Sequence, residues 1–483
     1  MALIPRLNSV ERKPFHPALE LIDGVYYIGV YLDCEDTENK GRIKRVCCVV
    51  TDRKEIIPVE ENWLKKKNYF VTRYPSLNSK ERWSKESIKE WLFSNKKYSR
   101  NEVFNQIREL LKFYIEFQDV DYYDLITLWI IGTYLHPIFN AYPYIYIGGT
   151  KRSGKSKTLK FCSLLSFNSI PSGNMTSATI YRLVDDSKCS LFIDETEKLY
   201  SKNKVQDFRN LLLSGYKKGS NVYRVEKDRQ DQLKVSPFKL YAPKMIANIR
   251  GIDDVLADRS ITLILQTALG PQGNREIDEN DEVWKEIRDK IYPFALYFWE
   301  EIKQIYDSYE PSDDKLKTRD LELWKPILSL AKFMSDELHS KMYQLAVRKT
   351  LEKQIENLTE TADHILLKVL LEIVDKDDYY KVKFIADEVR SQFDEDQKWI
   401  NTRSIGRALK RLGVIIDKRR VGTGIEIRTS PEKIRDEALR LGFDLEVDEE
   451  KRKQMKNKLL CMKPQHQRVL ESVSYTHLTL PTN

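Results

Sequence analysis

The stretch that decides the fold is YPYIYIGGTKRSGKSKTLKF, residues 142–161. Residues 149–156 match the phosphate-loop pattern G-x-x-x-x-G-K-[ST]. In this pattern the glycines let backbone N–H groups point at phosphate oxygens, the lysine reaches the β and γ phosphates, and the serine hydroxyl binds Mg²⁺. The residues that we expect to hold ATP are Gly149, Thr150, Lys151, Arg152, Ser153, Gly154, Lys155 and Ser156.

The sequence around this loop supports the interpretation. Residues 144–147 predict a buried strand that enters the loop, and residues 155–165 have helical periodicity. A helix that begins at the loop places its N-terminal N–H groups at the bound anion. An ordinary glycine turn, which is the alternative, would not need a strand before it and a helix after it.

An acidic pair follows a second apolar strand. Residues 189–193 predict this strand, and Asp194 and Glu195 come directly after it. Beside a phosphate loop, the aspartate would complete the Mg²⁺ shell with Ser156, and the glutamate would polarise the attacking water. Apolar runs that end in Asp-Glu are common, so the pair gains its meaning from its place behind the loop and one helix-like segment, residues 178–184.

Two more strands are predicted further along the chain. Residues 244–247 end at Asn248, and residues 260–265 come directly after Arg259. In a parallel sheet the carboxyl ends of the strands meet at one crevice. We therefore expect Asn248 to lie near the phosphates, where its amide would orient the lytic water.

The order of the phosphate loop, LFIDE, KMIAN and LADRSITLIL resembles AAA+ ATPases. More narrowly, it resembles the replicative helicase domains encoded with primases in phages, plasmids and archaeal mobile elements. The resemblance covers about residues 140–335 and implies a three-layer α/β/α P-loop NTPase fold with a parallel sheet, a helical lid, ATP with Mg²⁺, and a homo-hexameric ring. By position it implies that Asn248 is the sensor-1 residue, that Arg259 is an arginine finger reaching a neighbour's γ-phosphate, and that Arg319 is the sensor-2 arginine of the lid. A structural salt bridge remains the alternative for both arginines.

A basic region lies between the acidic pair and Asn248. Residues 222–225 and 238–241 predict a hairpin with a polar tip. In the group that this chain resembles, such a hairpin enters the ring pore and grips single-stranded DNA through phosphate neutralisation and stacking. The alternative is a solvated loop whose charges cancel, because acidic residues lie among the basic ones. The candidate DNA contacts are Lys217, Lys218, Arg224, Lys227 and Arg229.

The C-terminal region predicts three helices, residues 364–374, 384–393 and 402–412, followed by a hairpin. One stripe of the third helix is apolar, and the opposite stripe is basic. A basic third helix with a basic hairpin resembles a winged helix-turn-helix, which would bind duplex DNA. A protein-docking module is the alternative. The candidate contacts are Arg403, Arg407, Lys410 and Arg411 on the helix and Lys418, Arg419 and Arg420 at the hairpin tip.

Composition narrows the classes of protein. The net charge of +8, from 81 Lys and Arg against 73 Asp and Glu, permits an anionic partner without requiring one. The six cysteines contain no C-x-x-C pair and do not cluster with histidines, so no zinc site is expected. Scattered thiols in a large chain predict a location in the reducing cytoplasm. The longest apolar run, residues 125–135, is too short to cross a bilayer, so no membrane partner is expected.

The predicted organisation follows from these signals. Residues 1–20 predict an arm at the start of a small β-rich domain, and residues 473–483 include a resemblance to a translated sequencing adaptor, which we leave out of the fold. The expected segments are a β-rich domain at 1–80, a helical connector at 81–140, an ATPase core at 141–268, a lid at 269–347, a linker at 348–362, the winged helix at 363–445 and a charged tail at 446–472.

Two functional hypotheses remain open at this point. The first is an ATP-driven DNA motor, a replicative helicase or initiator of a virus, plasmid or integrated element, with a primase as an expected partner. The second is an AAA+ nucleotide switch that regulates a DNA-bound complex without unwinding DNA.

Overall fold

The computed structural model describes residues 11–36, 42–76, 82–172, 177–194, 211–227, 232–247, 254–360, 362–392, 400–422, 424–440 and 443. The chain divides into two compact units, residues 1–349 and 350–483, and each is described by itself. In the described part, no helix is long and apolar enough to cross a membrane.

The first unit begins with a four-stranded antiparallel sheet of order β2-β3-β4-β5 and a separate parallel pair, β1 with β6. The prediction of an arm over residues 1–20 is wrong where the structure describes it, because two strands lie there. Phe15 anchors the first one: its side chain is buried against the rings of Tyr27, Trp63 and Tyr69. The elements are β1 Lys13–Phe15, β2 Leu19–Ile22, β3 Val25–Asp36, β4 Arg42–Thr51, β5 Ile56–Pro58, α1 Glu61–Lys67 and β6 Tyr69–Val71.

Three helices connect this sheet to the phosphate loop: α2 Lys85–Phe93, α3 Arg100–Tyr114 and α4 Asp121–Thr133. Helix α4 is buried along nearly its whole length, as its all-round apolar sequence predicts. Its Trp129 donates to the carbonyl of Pro143 at 2.8 Å, just before the loop strand begins. This packing fixes the entry of the chain into the central sheet.

The central sheet of the first unit has five parallel strands in the order β13-β7-β12-β9-β8. This confirms a mixed α/β fold with a parallel sheet. The predicted bounds of the loop helix, residues 155–165, and of two strands, residues 244–247 and 260–265, are confirmed. In chain order the elements are β7 Tyr144–Gly149, α5 Lys155–Leu165, β8 Ile170–Ser172, α6 Ser177–Ser187, β9 Leu191–Ile193, β10 Asn221–Lys227, β11 Leu233–Lys239, β12 Lys244–Ala247, α7 Asp254–Ala257 and β13 Ser260–Leu265.

Three long helices follow: α8 Glu282–Ser308, α9 Thr318–Met334 and α10 Asp336–Glu360. The largest hydrophobic cluster of the first unit spans several elements, with contributions from Tyr26 of β3, Trp129 of α4, Ile145 of β7, Trp284 of α8 and Trp324 of α9. Two smaller clusters lie beside β9 and within the N-terminal sheet. The connector helices, the central sheet and the helices α8 and α9 therefore pack as one body.

Two arginines hold the carboxyl end of the loop helix α5. Arg82 donates through Nη2 to the carbonyls of Ser163, Leu164 and Ser166 at 3.0 to 3.2 Å, and Arg288 donates to that of Leu164 at 2.8 Å. The last carbonyls of a helix have no hydrogen-bond donor within the helix, and the negative end of the helix dipole lies there. The two guanidinium groups supply the missing donors and place positive charge at this end. The helix that carries the phosphate loop is thus pinned at its far end.

Among its described residues, the second unit has four complete helices and a three-stranded antiparallel sheet of order β14-β16-β15, around its own hydrophobic core. The strand β14 was not predicted. The hairpin lies later than predicted, so that Lys418, Arg419 and Arg420 lie within strand β15 and the turn falls after Val421. The elements are α11 Ala362–Ile373, β14 Asp378–Lys381, α12 Val382–Ser391, α13 Thr402–Arg411, β15 Asp417–Val421, β16 Gly424–Thr429 and α14 Pro431–Arg440.

Candidate functional site

The phosphate loop connects β7 to α5 through a backbone that only certain residues adopt. Gly149 has a φ of 143°, and Gly154, which directly precedes the helix, has a φ of 86°. A side chain on Gly149 would place its Cβ 2.3 Å from the carbonyl oxygen of Leu265 on β13. Glycine is therefore required at this position both for its φ and for the close approach of the neighbouring strand.

The lysine of the loop lies inside it. Lys155 is 8% exposed, and its Nζ donates to the carbonyls of Gly149 at 2.9 Å and Thr150 at 2.6 Å and to the Ser153 hydroxyl at 3.3 Å. Burial lowers the pKa of Lys155, and the charge of Asp194 opposes this effect. The ammonium group is thus held under the loop, close enough to Asp194 for their charges to interact.

The strand register brings the predicted hydrolytic residues to one edge of the sheet, by which we mean the side formed by the carboxyl ends of its strands. Gly149 pairs with Leu265, Ile147 pairs with Ala247, and Ile193 pairs with Ile246, so β7, β9, β12 and β13 end on the same side of the sheet, with β12 and β9 two and three residues short of Gly149. Asp194 directly follows β9 and is partly buried. Glu195 and Asn248 lie outside the described residues, each one position beyond a described residue at this edge.

This edge provides the oxygen ligands that Mg²⁺ prefers. Ser156 is exposed in the first turn of α5, and Asp194 lies close enough to Lys155 for their charges to interact. The described residues contain no cluster of three or more His, Cys, Asp or Glu side chains that could hold a metal alone. Mg²⁺ commonly takes one or two protein oxygens together with substrate phosphates and water, so a hydroxyl and a carboxylate fit this ion.

A second basic contact at the loop was not predicted. Lys157, in the first turn of α5, donates to the carbonyl of Gln272 at 2.6 Å, so the segment after β13 lies against the loop helix. Burial and the nearby Arg275 lower the pKa of Lys157. Arg275 in turn lies 3.9 Å above the ring of Phe113. Nothing in the sequence links positions so far apart, because the contact exists only in the folded sheet.

Arg259 lies at the opposite edge of the central sheet, which is formed by the amino ends of its strands. Its carbonyl accepts the N–H of Tyr144, the first residue of β7, at 3.0 Å. Gly149 is at the far end of β7, about 17 Å away at roughly 3.3 Å per residue. The guanidinium donates to the carbonyl of Val255 at 2.6 Å, and its Nε has no acceptor among the residues that the structure describes. Arg259 therefore does not lie at the phosphate loop of its own chain.

Arg319 lies at the same far edge. Its guanidinium stacks 4.7 Å from the ring of Tyr216 and donates to Glu322 at 3.0 Å. The carbonyl of Tyr216 accepts the N–H of Tyr142, which precedes β7. The structure thus places Arg259 and Arg319 on the side of the sheet where the strands begin, and Lys155, Ser156 and Asp194 on the side where the strands end.

The predicted basic hairpin forms, with β10 and β11 paired antiparallel. Its exposed face is apolar and carries Tyr223, Val225, Leu233 and Val235, each more than half exposed. Arg224 points to the other face, where it stacks on Tyr181 of α6.

The remaining basic candidates of this region lie at the base of the hairpin or outside the described atoms. Lys217 pairs with Glu322. Lys218 is exposed overall, but its ammonium contacts the carbonyl of Pro137, and partial burial there lowers its pKa to about 8. Arg229 and the side chain of Lys227 lie outside what the structure describes.

The third helix of the second unit presents the predicted basic face. Ile405, Ala408 and Leu409 are buried, whereas Arg403, Arg407 and Lys410 are exposed. Asn401 caps the helix, accepting the N–H groups of Arg403 and Ser404 at 3.0 Å each. In the described part of the chain, Arg403, Arg407 and Lys410 make no ion pair.

Two of the predicted DNA contacts in this unit are held by acidic neighbours. Arg411 makes two hydrogen bonds to the carboxylate of Asp363. Arg419 pairs with Glu426 and stacks 3.7 Å from the ring of Tyr379. Lys418 and Arg420 flank Arg419 on β15 and therefore point to the opposite face of the strand, where both are exposed. Among the candidate DNA contacts that the structure describes in this unit, Arg403, Arg407, Lys410, Lys418 and Arg420 make no ion pair.

Comparison with known proteins identifies no family. No protein-family model matches the chain, and no curated protein matches it. Among solved structures, one titled "SCCmec type IV Cch - active helicase" is 12% identical, with 87% of this chain and 92% of that chain covered at a TM-score of 0.38. The NrS-1 C-terminal region is 13% identical, with 80% and 93% covered at 0.34, and Drosophila ORC bound to DNA is 11% identical, with 71% and 94% covered at 0.20. These TM-scores are all below 0.5, so the similarity of these structures does not indicate what this chain does.

Proposed function

We propose that this chain is an AAA+ ATPase that hydrolyses ATP at the loop of residues 149–156 and uses the cycle to act on DNA. One observation carries the hydrolytic part: the register of the parallel sheet places Lys155, Ser156 and Asp194 at one edge. Lys155 would neutralise the β and γ phosphates, and Ser156 and Asp194 would hold Mg²⁺, which supplies charge stabilisation to the transferring phosphoryl group.

The positions of β9 and β12 support catalytic roles for Glu195 and Asn248, which follow these two strands in the chain. Strand β12 lies between the loop strand β7 and the strand β9 that precedes Asp194. Glu195 and Asn248 directly follow Asp194 and β12, so we assign Glu195 as the base that activates water and Asn248 as the group that orients it. Both assignments extend the sequence prediction.

The arginine finger assignment requires a second copy of the chain. Arg259 is at the sheet edge about 17 Å from its own loop, at roughly 3.3 Å per residue, so it can approach a phosphate only in a neighbouring copy. A head-to-tail interface repeats around a closed ring. This supports a homo-oligomeric ring, and we propose a hexamer on the resemblance to ring helicases.

The second unit supports DNA as the partner. Its described residues include a capped helix with three exposed cations that make no ion pair on one face, and a hairpin with two more. This supports our proposal that the unit is a winged helix whose third helix would lie in the major groove. The apolar face of the β10–β11 hairpin favours the stacking part of the predicted DNA contact, with Tyr223 as a platform for bases, over the phosphate neutralisation that was predicted with it. We propose a replicative helicase or initiator of a virus, plasmid or integrated element, working with a primase.

Hydrolysis is tested by comparing Lys155→Ala with Lys160→Ala. Lys160 is on the same helix but pairs with Glu279 at 3.0 Å, away from the loop carbonyls. We expect ATP turnover to fall at least about 100-fold in Lys155→Ala, because it loses a cation at the phosphates, and to stay at the wild-type rate in Lys160→Ala. Wild-type turnover by Lys155→Ala would refute the site.

The alternative, a nucleotide switch, is separated by a forked-duplex assay. A motor shows ATP-dependent strand displacement and faster hydrolysis with DNA present. Hydrolysis that DNA does not stimulate, without displacement, would assign the chain to the switch class.

A further inference from the structure

We propose that Arg73 is a positioning residue for the β10–β11 hairpin, so that the N-terminal β-rich domain holds the hairpin in the orientation that binds single-stranded DNA. This inference rests on the proposed contact between the hairpin and DNA and deepens it. It gives the N-terminal domain a role in DNA binding. Arg73 would act through the hairpin and not by its own contact with DNA.

The first observation is the position of Arg73, two residues after β6. Its guanidinium pairs with Asp185 at 2.9 Å and with Asp186 at 3.4 Å, both in the last turn of α6. The same group lies 4.3 Å from the centre of the Phe238 ring on β11. One side chain of the N-terminal domain therefore contacts both the hairpin and the helix that packs on it.

Asp185 connects this contact back to the backbone of the hairpin. Its side chain is 7% exposed, and its Oδ1 accepts the N–H of Lys239, the last residue of β11, at 3.2 Å. Lys188 provides a further cation at 3.5 Å. Burial of a carboxylate is unfavourable unless it is paired, so removal of Arg73 favours movement of Asp185 towards water and away from Lys239.

The anchored end of the hairpin lies next to the candidate stacking residue. Phe238 pairs with Val222, and Tyr223 is the next residue of β10. Alternation along the strands places these side chains on opposite faces, and Phe238 is 2% exposed whereas Tyr223 is 64% exposed. Arg73 thus holds the packed face of the hairpin one residue away from the exposed ring.

The orientation of the hairpin depends on the side chains that pack on it. Strands β10 and β11 form a two-stranded sheet of their own, and such a ribbon is marginally stable by itself. On the packed face, the rings of Phe238 and Tyr181 are 6.3 Å apart, and Arg224 lies 4.7 Å from the ring of Tyr181. Arg73 completes this row at the Phe238 end, so α6 and the N-terminal domain together fix the hairpin.

A fixed hairpin binds DNA more tightly than a loose one. A binding surface that moves must be ordered when the ligand binds, and this ordering lowers the affinity. We therefore expect loss of Arg73 to lower the affinity for single-stranded DNA through Tyr223. A contact that only stabilises the fold would not act through this ring, and this difference provides the test.

The test is a double-variant cycle of Arg73→Gln and Tyr223→Ala. Binding of a fluorescent single-stranded oligothymidylate to the full chain is measured by anisotropy. We expect affinity to fall at least about 5-fold in Tyr223→Ala, because a stacking platform is lost. Arg73→Gln should lower it about 3- to 10-fold, which is the cost of ordering the hairpin on binding. The double variant should match Tyr223→Ala to within about 2-fold, because a hairpin without its ring gains nothing from being held in place.

Arg100→Gln is the matched control. Arg100 also pairs with a carboxylate, that of Glu301 at 2.5 Å, and also lies on a phenylalanine ring, that of Phe333 at 4.7 Å. It connects α3 to α8 and α9, however, and has no contact with the hairpin among those that the structure describes. We expect wild-type affinity for this variant.

Three outcomes would overturn the inference alone. They are wild-type affinity of Arg73→Gln, losses that multiply to about 15-fold or more in the double variant, and a loss in Arg100→Gln equal to that in Arg73→Gln. Wild-type affinity of Tyr223→Ala would instead remove the hairpin from the proposed DNA contacts, and the inference would fall with it.

Thermal unfolding of each variant is recorded in parallel, because Arg73→Gln leaves a buried carboxylate with fewer partners. Should this variant unfold, Arg73→Lys replaces it in the cycle. Lysine keeps a cation for Asp185 but lacks the planar fork that pairs with two carboxylates and lies flat on a ring. A loss of affinity that does not multiply with that of Tyr223→Ala supports the inference, and wild-type affinity of Arg73→Lys overturns it.

Discussion

Removal of two arginines from the basic helix α13 should change the salt dependence of DNA binding by a predictable amount. Arg403 and Arg407 are exposed and unpaired within the described structure, as are Lys410, Lys418 and Arg420. Each cation that neutralises a phosphate adds about 0.9 to the slope of log K against log salt. If all five contact duplex DNA, affinity should fall about 500-fold between 50 and 200 mM salt.

The double variant Arg403→Gln, Arg407→Gln leaves three of these cations. We expect a loss of about 40-fold over the same salt range, together with weaker binding at low salt. Fluorescence anisotropy of a short labelled duplex at several salt concentrations measures both slopes. Thermal unfolding should be unchanged, because neither side chain is buried.

The matched control for this experiment is Arg411→Gln. Arg411 is on the same helix, but its guanidinium is paired with Asp363 through two hydrogen bonds, so few counterions are released through it. We expect its slope to stay close to that of the wild type. A double variant with the wild-type slope, or a control with the slope of the double variant, would refute the placement of DNA on this face.

Two further predictions concern the first unit. Gly149→Ala should weaken ATP binding and lower the melting temperature, because alanine disfavours a φ of 143° and its Cβ would lie 2.3 Å from the Leu265 carbonyl oxygen. Gly154→Ala is the control: its Cβ would lie in open space, so it should lower the melting temperature less in the same calorimetric scan. Lys244 is fully buried, its Nζ donates to the carbonyls of Gly215, Leu240 and Ala242, and burial lowers its pKa to about 7. Between pH 7 and the normal lysine pKa of 10.5, the unfolded chain binds more protons at this site than the folded chain, so stability should rise with pH over this range. Lys244→Met should flatten this rise, and equal pH profiles for the two proteins would contradict the assignment.

The parts of the fold that were predicted correctly share a local cause. Helix α5 and strands β12 and β13 have the predicted bounds because a glycine loop, an apolar run or a charged boundary marks each end within a few residues. The missed elements depend on distant partners. Strand β1 is held by the parallel partner β6, and β14 by β16. Such pairings leave no periodic signal in a three- or four-residue segment.

The basic candidates show the same division. Alternation along a helix predicted the exposed face of α13 because helical geometry alone decides which residues share a face. The hairpin differs because the packing of one face on α6 decides which side is exposed. Arg224 lies on the packed face, and Tyr223 and Val225 lie on the exposed one. Charge counted along the sequence does not distinguish these two sides.

The sequence by itself determined the phosphate loop, its lysine and serine, and the acidic pair that follows an apolar strand, because each is a short motif whose chemistry depends on adjacent residues. Only the tertiary structure decided which of these groups meet. The parallel register brings Asp194 to the side of the sheet that carries Lys155, and it places Arg259 on the opposite side, about 17 Å away at roughly 3.3 Å per residue. The physical reason is that a sheet aligns strand ends by hydrogen bonds between segments that are far apart in the chain, and no local pattern records that alignment.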